Sequence, residues 1–301
     1  MPKANPYCLL PTAYSPMFKT SLPAVLALIC VFICGCNTQQ GPNSENDVRV
    51  VSLSPNYTEI VYCLGAENLL VGRSDACNYP PESQSVPIAG QYASPNLEKL
   101  YTLRPTVVLS ADFIDDRIHN ELLSRGIDVY RKDPKTFDEL FEAIRQIGKR
   151  VKKEAEADAL VKKLQSELAD VQHSVAQNTT QPPRVLVVVW HNPMCIVGGN
   201  TFVAQAVRLA GGVNLSDDLS KQYVNVSPER IVEYSPDIIL FPQMEAGVTA
   251  EALLNYPGLE SVPAIKNKRI ITDIPGDVIL RPGPRLTEGV KMLAERLKTS
   301  E

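Results

Sequence analysis

A repeated segment is the sequence feature that most constrains how this chain can fold. In the first copy Glu98 opens a short predicted helix, Pro105 follows seven residues later, and an apolar run comes next. In the second copy Glu229 and Pro236 stand at the same spacing and are followed by a similar apolar run. Because a recurring segment is the signature of a recurring structural unit, the repeat predicts two lobes of one architecture.

The order of strands and helices within each half indicates the fold class. Each half opens on a β-branched run, at 49–53 and at 184–188, and such runs are typical of strands. A helix is predicted after each run, at 56–64 and at 200–209, and glycine follows both helices as a C-terminal cap. The further strands predicted in the two halves lie at 107–110, 127–130, 237–241 and 269–272.

Strands that alternate with helices indicate parallel sheets covered on both faces. We therefore expect an α/β fold of two Rossmann-like lobes with parallel sheets, at 48–135 and 183–301. The segment between them, 136–182, begins with a capping box formed by Thr136 and Glu139 and continues with apolar residues at helical spacing. A glycine and a charged run divide this stretch, and its second part predicts a single long rigid helix that joins the lobes.

The N-terminal segment has the composition of a secretory signal. Residues 22–33 are apolar and uncharged, which is typical of a signal-peptide h-region. A membrane-spanning helix needs about 20 such residues, so this run is too short to be one. Either Met1 or Met17 can begin the signal. Residues 37–47 are polar and lack periodicity, which predicts a flexible tether.

Ile33-Cys-Gly-Cys36 resembles a bacterial lipobox, with Cys34 where Ala or Ser is usual. The resemblance implies that residues 1–36 contain a lipoprotein signal peptide and that Cys36 is diacylated as the mature N-terminus. Two lipid chains on one residue anchor a protein stably. The chain is therefore expected outside the cytoplasm, lipid-anchored to a bacterial membrane, and on the periplasmic face in a Gram-negative cell.

The three cysteines that remain after such processing are Cys63, Cys77 and Cys195. An odd number allows at most one disulfide. Cys63 and Cys77 are the nearer pair along the chain, and the alternative is that Cys63 is simply buried on an apolar helix face.

Charge and motif content argue against several function classes. The chain has 30 basic and 34 acidic residues, whereas a nucleic-acid-binding protein would show a basic surplus. The motifs of zinc proteases, α/β-hydrolases and P-loop nucleotide binders are missing from the sequence. We therefore expect no catalytic residue, no metal site and no cofactor. Cys195 near His191 is the pair on which an enzyme hypothesis would depend.

Binding is better supported than catalysis, because the loops at the carboxyl ends of the predicted strands carry aromatic and amide side chains. Such loops are where α/β folds place their ligands. Flat aromatic faces suit a large, partly apolar ligand with polar edges. The candidate ligand-binding residues from these loops are Pro55, Asn56, Tyr92, Trp190, His191, Asn192 and Tyr223.

Several segments resemble the periplasmic substrate-binding proteins of ABC importers for cobalamin, haem and ferric siderophores. The resemblance covers essentially the whole mature chain. It is strongest to the cobalamin-binding branch. The segments that carry it are RVVSLSPNYTEIVYCLGAENLLVG from Arg49, Asn78-Tyr-Pro-Pro81, Asn96-Leu-Glu98, His191-Asn-Pro193, Val226-Ser-Pro-Glu229 and Arg281-Pro-Gly-Pro-Arg285.

The resemblance implies a ligand and a set of contacts. The ligand would be a corrinoid, cobalamin, held in the cleft between the lobes. Tyr92 and Tyr223 would form the walls of the corrin pocket, at positions where that branch usually has Trp. Arg281 would lie near the pocket floor, and Pro55 and Asn56 would touch the edge of the ligand.

The repeated glutamates suggest how the protein meets a partner. Glu98 and Glu229 occupy one place in a duplicated motif, so each lobe presents one carboxylate. An ABC permease made of two identical subunits, with its ATPase subunits, would meet this pair with two copies of one basic patch. The resemblance likewise implies that Glu98 and Glu229 are the permease-docking residues. The alternative is that both carboxylates only stabilise the starts of their helices.

Other functions remain open from the sequence. The same fold could hold haem, with His191, Tyr92 or Tyr223 as iron ligand, or a ferric siderophore, with Arg281 and Arg73 as anion contacts. An enzyme on this scaffold and a scaffold module without a small ligand are the remaining alternatives.

Overall fold

The computed structural model describes residues 48–92, 94–178, 181–242 and 249–298. The predicted signal segment 1–36 with its lipidation residue Cys36, and the tether 37–47, lie outside the described residues. No helix in the described ranges combines the length and the apolar character needed to cross a membrane.

The first lobe is a sheet with helices packed on it. Its strands are β1 (Val50–Ser52), β2 (Leu70–Ser74), β3 (Ile88–Gln91), β4 (Ser94–Pro95), β5 (Val107–Ser110) and β6 (Asp128–Arg131). Its helices are α1 (Pro55–Cys63), α2 (Leu97–Thr102) and α3 (Asp116–Ser124). The strand order is β4-β3-β2-β1-β5-β6. Neighbouring strands run parallel except β3 and β4.

This sheet is covered on both faces, as predicted for a parallel sheet. Val107 and Leu109 of β5 join the apolar cluster that contains Ile60 of α1. Val108, between them, joins the opposite cluster with Leu122 of α3. Alternate residues of the strand therefore point to opposite faces, and both faces are buried.

The long connection consists of two helices, α4 (Phe137–Arg150) and α5 (Glu154–Asn178). Half of the predicted capping box is present, because the hydroxyl oxygen of Thr136 accepts the backbone N–H of Glu139 at 3.2 Å. The Glu139 carboxylate accepts the backbone N–H of Lys135 at 2.6 Å instead of that of Thr136. At 1.5 Å per residue, α5 is about 37 Å long. It packs on α4 on one side and, toward the second lobe, on two helices defined below, as expected of a strut that joins the lobes.

The second lobe has its own sheet. Its strands are β7 (Arg184–His191), β8 (Met194–Val197), β9 (Val213–Asn214), β10 (Tyr223–Asn225), β11 (Ile238–Leu240) and β12 (Ile270–Ile271). Its helices are α6 (Phe202–Leu209), α7 (Pro228–Tyr234), α8 (Glu251–Leu254), α9 (Pro263–Lys266), α10 (Gly276–Ile279) and α11 (Leu286–Leu297). The order is β10-β8-β7-β11-β12, with β9 also paired to β7. The two helices that receive α5 are α6 and α11.

The second sheet corrects one expectation. We expected parallel sheets, but β8 runs antiparallel to both β7 and β10. The chain reverses at Asn192-Pro193 and returns along β7 before it reaches α6, so this edge is a hairpin instead of a strand–helix–strand unit. The remaining pairs, β7 with β9 and β11, and β11 with β12, are parallel.

The predicted glycine caps are present, and the predictions for the cysteines are wrong. Gly65 and Gly211 follow α1 and α6 with φ of 62° and 89°, the left-handed conformation that a glycine C-cap supplies. Cys63, Cys77 and Cys195 are free thiols. The possible Cys63–Cys77 disulfide is thus not formed, and Cys63 is exposed, which is also contrary to the alternative that it is buried.

Candidate functional site

A cavity of about 290 Å³ lies where the first lobe meets the segment that precedes α11. Four of the predicted ligand residues line it: Pro55, Asn56, Tyr92 and Arg281. Three of them follow the carboxyl ends of strands, Pro55 and Asn56 in the first turn of α1 after β1 and Tyr92 in the turn after β3, which is the edge where parallel sheets gather their ligand contacts. Asp133 and Asp277, which the sequence analysis did not single out, line the same cavity.

Asn56 uses its amide to hold the cavity together. Its Nδ2 donates to the carbonyl of Pro282 at 3.1 Å, and its Oδ1 accepts the hydroxyl of Ser54 at 2.6 Å. The side chain is almost fully buried. Asn56 therefore fixes the first lobe to the loop at Pro282. Both of its polar side-chain atoms are already hydrogen-bonded, so it shapes the cavity wall without offering a free polar atom.

Arg281 is held by two carboxylates. One guanidinium nitrogen lies 2.8 Å from Glu59 and the other lies 2.8 Å from Asp277. Glu59 also binds Arg285 at 2.7 Å, and its side chain is 2% exposed. Because two acidic groups already neutralise Arg281, the cavity floor offers no uncompensated positive charge at this residue.

Tyr92 stands at the turn between β3 and β4 and is held from two sides. Its ring meets that of Phe113 edge to face, with centroids 4.5 Å apart, and its backbone N–H donates to Asp75 at 3.0 Å. Burial raises the pKa of the Tyr92 hydroxyl, and the negative charge of Asp133 raises it further. Phe113 follows β5, so the strand-end rule could have identified it.

The remaining candidates lie on the second lobe. Trp190 of β7 pairs with Cys195 of β8, which in turn pairs with Asn225 of β10, the strand that begins at Tyr223. Tyr223 is 51% exposed. The indole N–H of Trp190 donates to the carbonyl of Asn192 at 2.9 Å. Trp190 and Asn192 thus lie at the β7–β8 turn, whereas Tyr223 pairs with Val197 at the other end of β8.

His191 lies at the same turn as Trp190. Its ring lies 5.9 Å from that of Trp190 and 6.3 Å from that of Phe241, measured between centroids. Its Nδ1 is buried and has no hydrogen-bond partner among the described residues.

An electrostatic effect relates the two walls. Burial raises the pKa of the Tyr223 hydroxyl, and Asp133 is the next contributor, as it is among the contributors for Tyr92. Tyr223 is not among the residues that line the cavity with Tyr92 and Asp133, so the placement of the two tyrosines as opposing walls of one pocket stays a prediction. Asp133 lies two residues after β6 and so also follows the strand-end rule, which was applied above to aromatic and amide side chains.

Two of the alternatives lose support from the structure. Arg73, a candidate anion contact for a siderophore, is buried and donates to the backbone carbonyls of Ser74, Gln84 and Val86. Burial raises the pKa of the Cys195 thiol, whereas a catalytic cysteine needs a lowered one. Neither side chain has the properties that its alternative requires.

Glu98 and Glu229 are both exposed in the first turns of α2 and α7. Helix α2 already has a side-chain cap, because Asn96 accepts the backbone N–H of Lys99 at 2.9 Å. In α7 the hydroxyl of Ser227 instead bonds the carboxylate of Glu229 and lowers its pKa. Both carboxylates lie where the helix dipole favours a negative charge, so their roles in docking and in helix stabilisation both stay predictions.

Comparison with known proteins gives consistent matches along most of the chain. A family model described as periplasmic binding protein matches residues 50–275. The "Uncharacterized ABC transporter substrate-binding lipoprotein YvrC" of Bacillus subtilis (strain 168) is 32% identical over 260 residues, which are 83% of this chain and 79% of that protein. The vitamin B12-binding protein of Pectobacterium atrosepticum is 25% identical over 253 residues, 83% of this chain and 88% of that protein.

A solved structure shows the same architecture. The periplasmic heme-binding protein RhuT from Roseiflexus sp. RS-1 in apo form superimposes with a TM-score of 0.75 and 26% sequence identity, and the match covers 84% of this chain and 98% of that chain. The resemblance noted from the sequence and the two-lobe α/β fold are thereby confirmed.

Proposed function

Because this chain belongs to the periplasmic binding protein family and is a substrate-binding protein of an ABC importer for vitamin B12, haem or siderophores, we propose that its ligand is a corrinoid. Proteins of this family serve transport and not catalysis. In the proposal, the ligand lies in the cleft between Tyr92 and Tyr223 and no bond is made or broken. Selectivity then rests on the shape of the cleft and on contacts to the ligand's polar rim.

The observation that carries the proposal is the pairing of Arg281. Haem and many ferric siderophores carry carboxylate or other anionic groups, and sites for such ligands need unpaired cationic donors. In this cleft Arg281 is neutralised by Glu59 and Asp277, and Arg73 is buried away from the cavity. A corrinoid with an amide rim has no such requirement. The vitamin B12-binding relatives support the same choice.

Calorimetric titration of the full chain in detergent tests the proposal. The probes are cyanocobalamin, haemin and a ferric siderophore, each titrated into the same preparation. We expect tight binding of cyanocobalamin only. Tight binding of haemin together with weak binding of cyanocobalamin would contradict the corrinoid proposal while leaving the importer family intact.

Haem is a second candidate, and a specific observation favours it. The Nδ1 of His191 is buried without a partner among the described residues, and imidazole nitrogen is a common iron ligand. Relatives of known structure include a heme-binding protein. A His191→Ala variant separates the two candidates. If His191 ligates iron, the variant should no longer shift the absorption spectrum of haemin. If the ligand is a corrinoid, the variant should bind cyanocobalamin nearly as well as the wild type.

The proposal also includes how the protein is held and where it delivers its ligand. Cys36 would carry the lipid that anchors the chain to the membrane, and residues 37–47 would be the tether. Glu98 and Glu229 would each meet a basic residue of one subunit of a permease homodimer, which acts with its ATPase subunits. Mass spectrometry of the membrane-extracted protein would detect the diacyl modification, and a Cys36→Ala variant should be released from the membrane.

A further inference from the structure

Asp133 has a fixed position at the edge of the cleft. The residue before it, Lys132, accepts the hydroxyl of the buried Tyr57 through its carbonyl at 2.6 Å. This bond holds the loop after β6 against α1. The Asp133 side chain lines the same cavity as Tyr92 and Arg281. Asp133 also lines a second cavity, of about 830 Å³, between β6 and α4, so it stands at the border of the two cavities and is within reach of a ligand in the smaller one.

The charge of Asp133 is not compensated by an ion pair. None of the ion pairs within the described ranges includes this residue, whereas Arg281 in the same cavity has two acidic partners. Burial raises the pKa of the Asp133 carboxyl, the negative charge of Asp112 adds to the rise, and Lys135 opposes it. An ionised carboxylate accepts hydrogen bonds and donates none. Among the described residues this carboxylate has no ion-pair partner, so it is open to a hydrogen-bond donor on a ligand.

We propose that Asp133 determines ligand specificity by accepting hydrogen bonds from amide groups on the ligand's rim and by repelling ligands whose rim carries carboxylates. This inference rests on the proposed function, because it assumes that the ligand lies in the cleft. A buried or half-buried group that is left unpaired by the wrong ligand discriminates strongly against that ligand. A corrinoid brings amide N–H donors to the rim, whereas haem brings two propionates.

The two aspartates of the cavity differ in what they can do. Asp277 lies 2.8 Å from Arg281 and has its charge balanced there. Asp133 has no comparable partner in the described part of the chain, and its charge raises the pKa of the hydroxyls on both walls. Selection between neutral and anionic ligands therefore falls to Asp133.

The test compares the ratio of two dissociation constants, for haemin and for cyanocobalamin, in the full-length wild type and three variants. Asp133→Asn removes the charge and keeps the shape, and Asp133→Glu keeps the charge. Asp170→Asn makes the same charge change on the exposed surface of α5 and is the matched control. At a protein-like dielectric constant, loss of one nearby charge should shift the ratio toward haemin by about tenfold or more in Asp133→Asn. Asp133→Glu and Asp170→Asn should stay within about twofold of the wild type, since neither alters the charge at this site.

The outcomes separate this inference from the proposed function. A wild type that prefers haemin overturns the corrinoid proposal, yet the inference still requires tighter haemin binding in Asp133→Asn. An unchanged ratio in Asp133→Asn overturns the inference, even if the wild type binds cyanocobalamin tightly. An equal shift in Asp170→Asn would also overturn it, because the effect would then come from net charge alone.

Discussion

The two lobes share their frame and differ in their cleft walls. In the first lobe, the guanidinium of Arg49 donates to the carbonyl of Leu103 at the end of α2, at 2.8 Å. In the second lobe, Arg184 donates to the carbonyl of Tyr234 at the end of α7, at 2.6 Å. Each arginine opens its lobe and fastens the repeated helix to the first strand, so the sequence duplication is also a duplication of contacts.

The same correspondence extends through the turn after each helix. Arg104 and Ser235 both take the left-handed conformation, with φ of 46°. Two residues further on, the Thr106 hydroxyl accepts the backbone N–H of Arg49 at 2.9 Å. At the matching place, the Asp237 carboxylate accepts the backbone N–H of Arg184, also at 2.9 Å. Positions that match in the repeat therefore match in space within their lobes. The placement of Glu98 and Glu229 as a pair follows from this frame.

The walls of the cleft do not repeat. Tyr92 sits at a turn and is buttressed by Phe113, whereas Tyr223 begins a strand and is 51% exposed. The first lobe is also joined to the C-terminal segment through Glu59, by ion pairs to Arg281 and Arg285. The repeated strand–helix contacts therefore set the position of a residue in its lobe, while side-chain contacts that do not repeat decide how rigidly each cleft wall is held.

The largest effect is expected at Glu59, which joins the first lobe to the C-terminal segment through ion pairs with Arg281 and Arg285. Glu59→Gln leaves Arg285 without its carboxylate partner, while Arg281 keeps Asp277. Breaking a buried ion pair from one side should lower the free energy of unfolding by about 3 kcal/mol. Urea unfolding followed by circular dichroism measures this change.

A matched control shows whether burial is the cause. Glu233 pairs with Arg230 on the exposed surface of α7, so Glu233→Gln should move the urea midpoint little. If the two variants lose equal free energy of unfolding, the ion pairs of Glu59 contribute no more than a surface pair. The first lobe would then not be held more firmly than the second.

The second prediction compares the two aromatic walls directly. By analogy with base–aromatic stacking, loss of each ring should cost about 1–3 kcal/mol of binding, so the double change Tyr92→Ala, Tyr223→Ala should weaken ligand binding at least about tenfold. Calorimetry on both single variants should show the larger loss for Tyr92→Ala, because its ring is already held in place by Phe113.

Phenylalanine variants at the same two positions are the controls, since they keep the ring and remove the hydroxyl. They should bind within a few-fold of the wild type. Affinity that is unchanged in the double alanine variant would show that the ligand lies elsewhere.

Local patterns predicted much of this fold, and their failures have physical reasons. Strand β5 and the N-cap at Thr136 were predicted at the right residues, because their signals are local. Strands β2 and β3 were not predicted. They are short, contain glycine and are selected by burial between neighbours, which a single sequence does not show.

The site divides in the same way. The strand-end rule identified Tyr92 and Asn56, and applied to charged residues it would also have identified Asp133. Glu59 and Arg285, by contrast, are more than two hundred residues apart along the chain, and their ion pair follows only from how the lobes and the C-terminal segment pack. No periodicity or motif spacing reveals such a contact.

The third prediction uses the part of the two lobes that does repeat. The double change Glu98→Ala, Glu229→Ala should reduce uptake of labelled ligand into cells about tenfold or more, through the docking rate and register. Ligand affinity should be unaffected, because both residues are exposed and away from the cavity. Transport assays in cells and calorimetry on the purified variant measure the two quantities.

The single variants sharpen the comparison between lobes. Glu98→Ala should leave thermal stability unchanged, because Asn96 caps α2, while Glu229→Ala should lower it slightly by freeing Ser227. Normal uptake in the double variant would show that the two carboxylates serve their helices alone.

The smallest effect is expected in the relation between the lobes when ligand binds. Helix α5 packs on α6 and α11 of the second lobe and on α4, which in turn packs on α1 of the first lobe. The largest apolar cluster includes Val50 of the first sheet and Val187 of the second. Contacts across the seam add to this, since the backbone N–H of Phe137 donates to Gln205 at 2.9 Å. Bending α5 would disrupt its hydrogen-bond ladder, and separating the lobes would open a continuous core. Free and bound forms should therefore differ by a few ångströms at most, and small-angle scattering should give nearly the same radius of gyration with and without saturating ligand. A large compaction on binding would instead mean that the lobes close about a hinge. The contrast between the two cleft walls would then describe the open state alone, and ligand binding would change it.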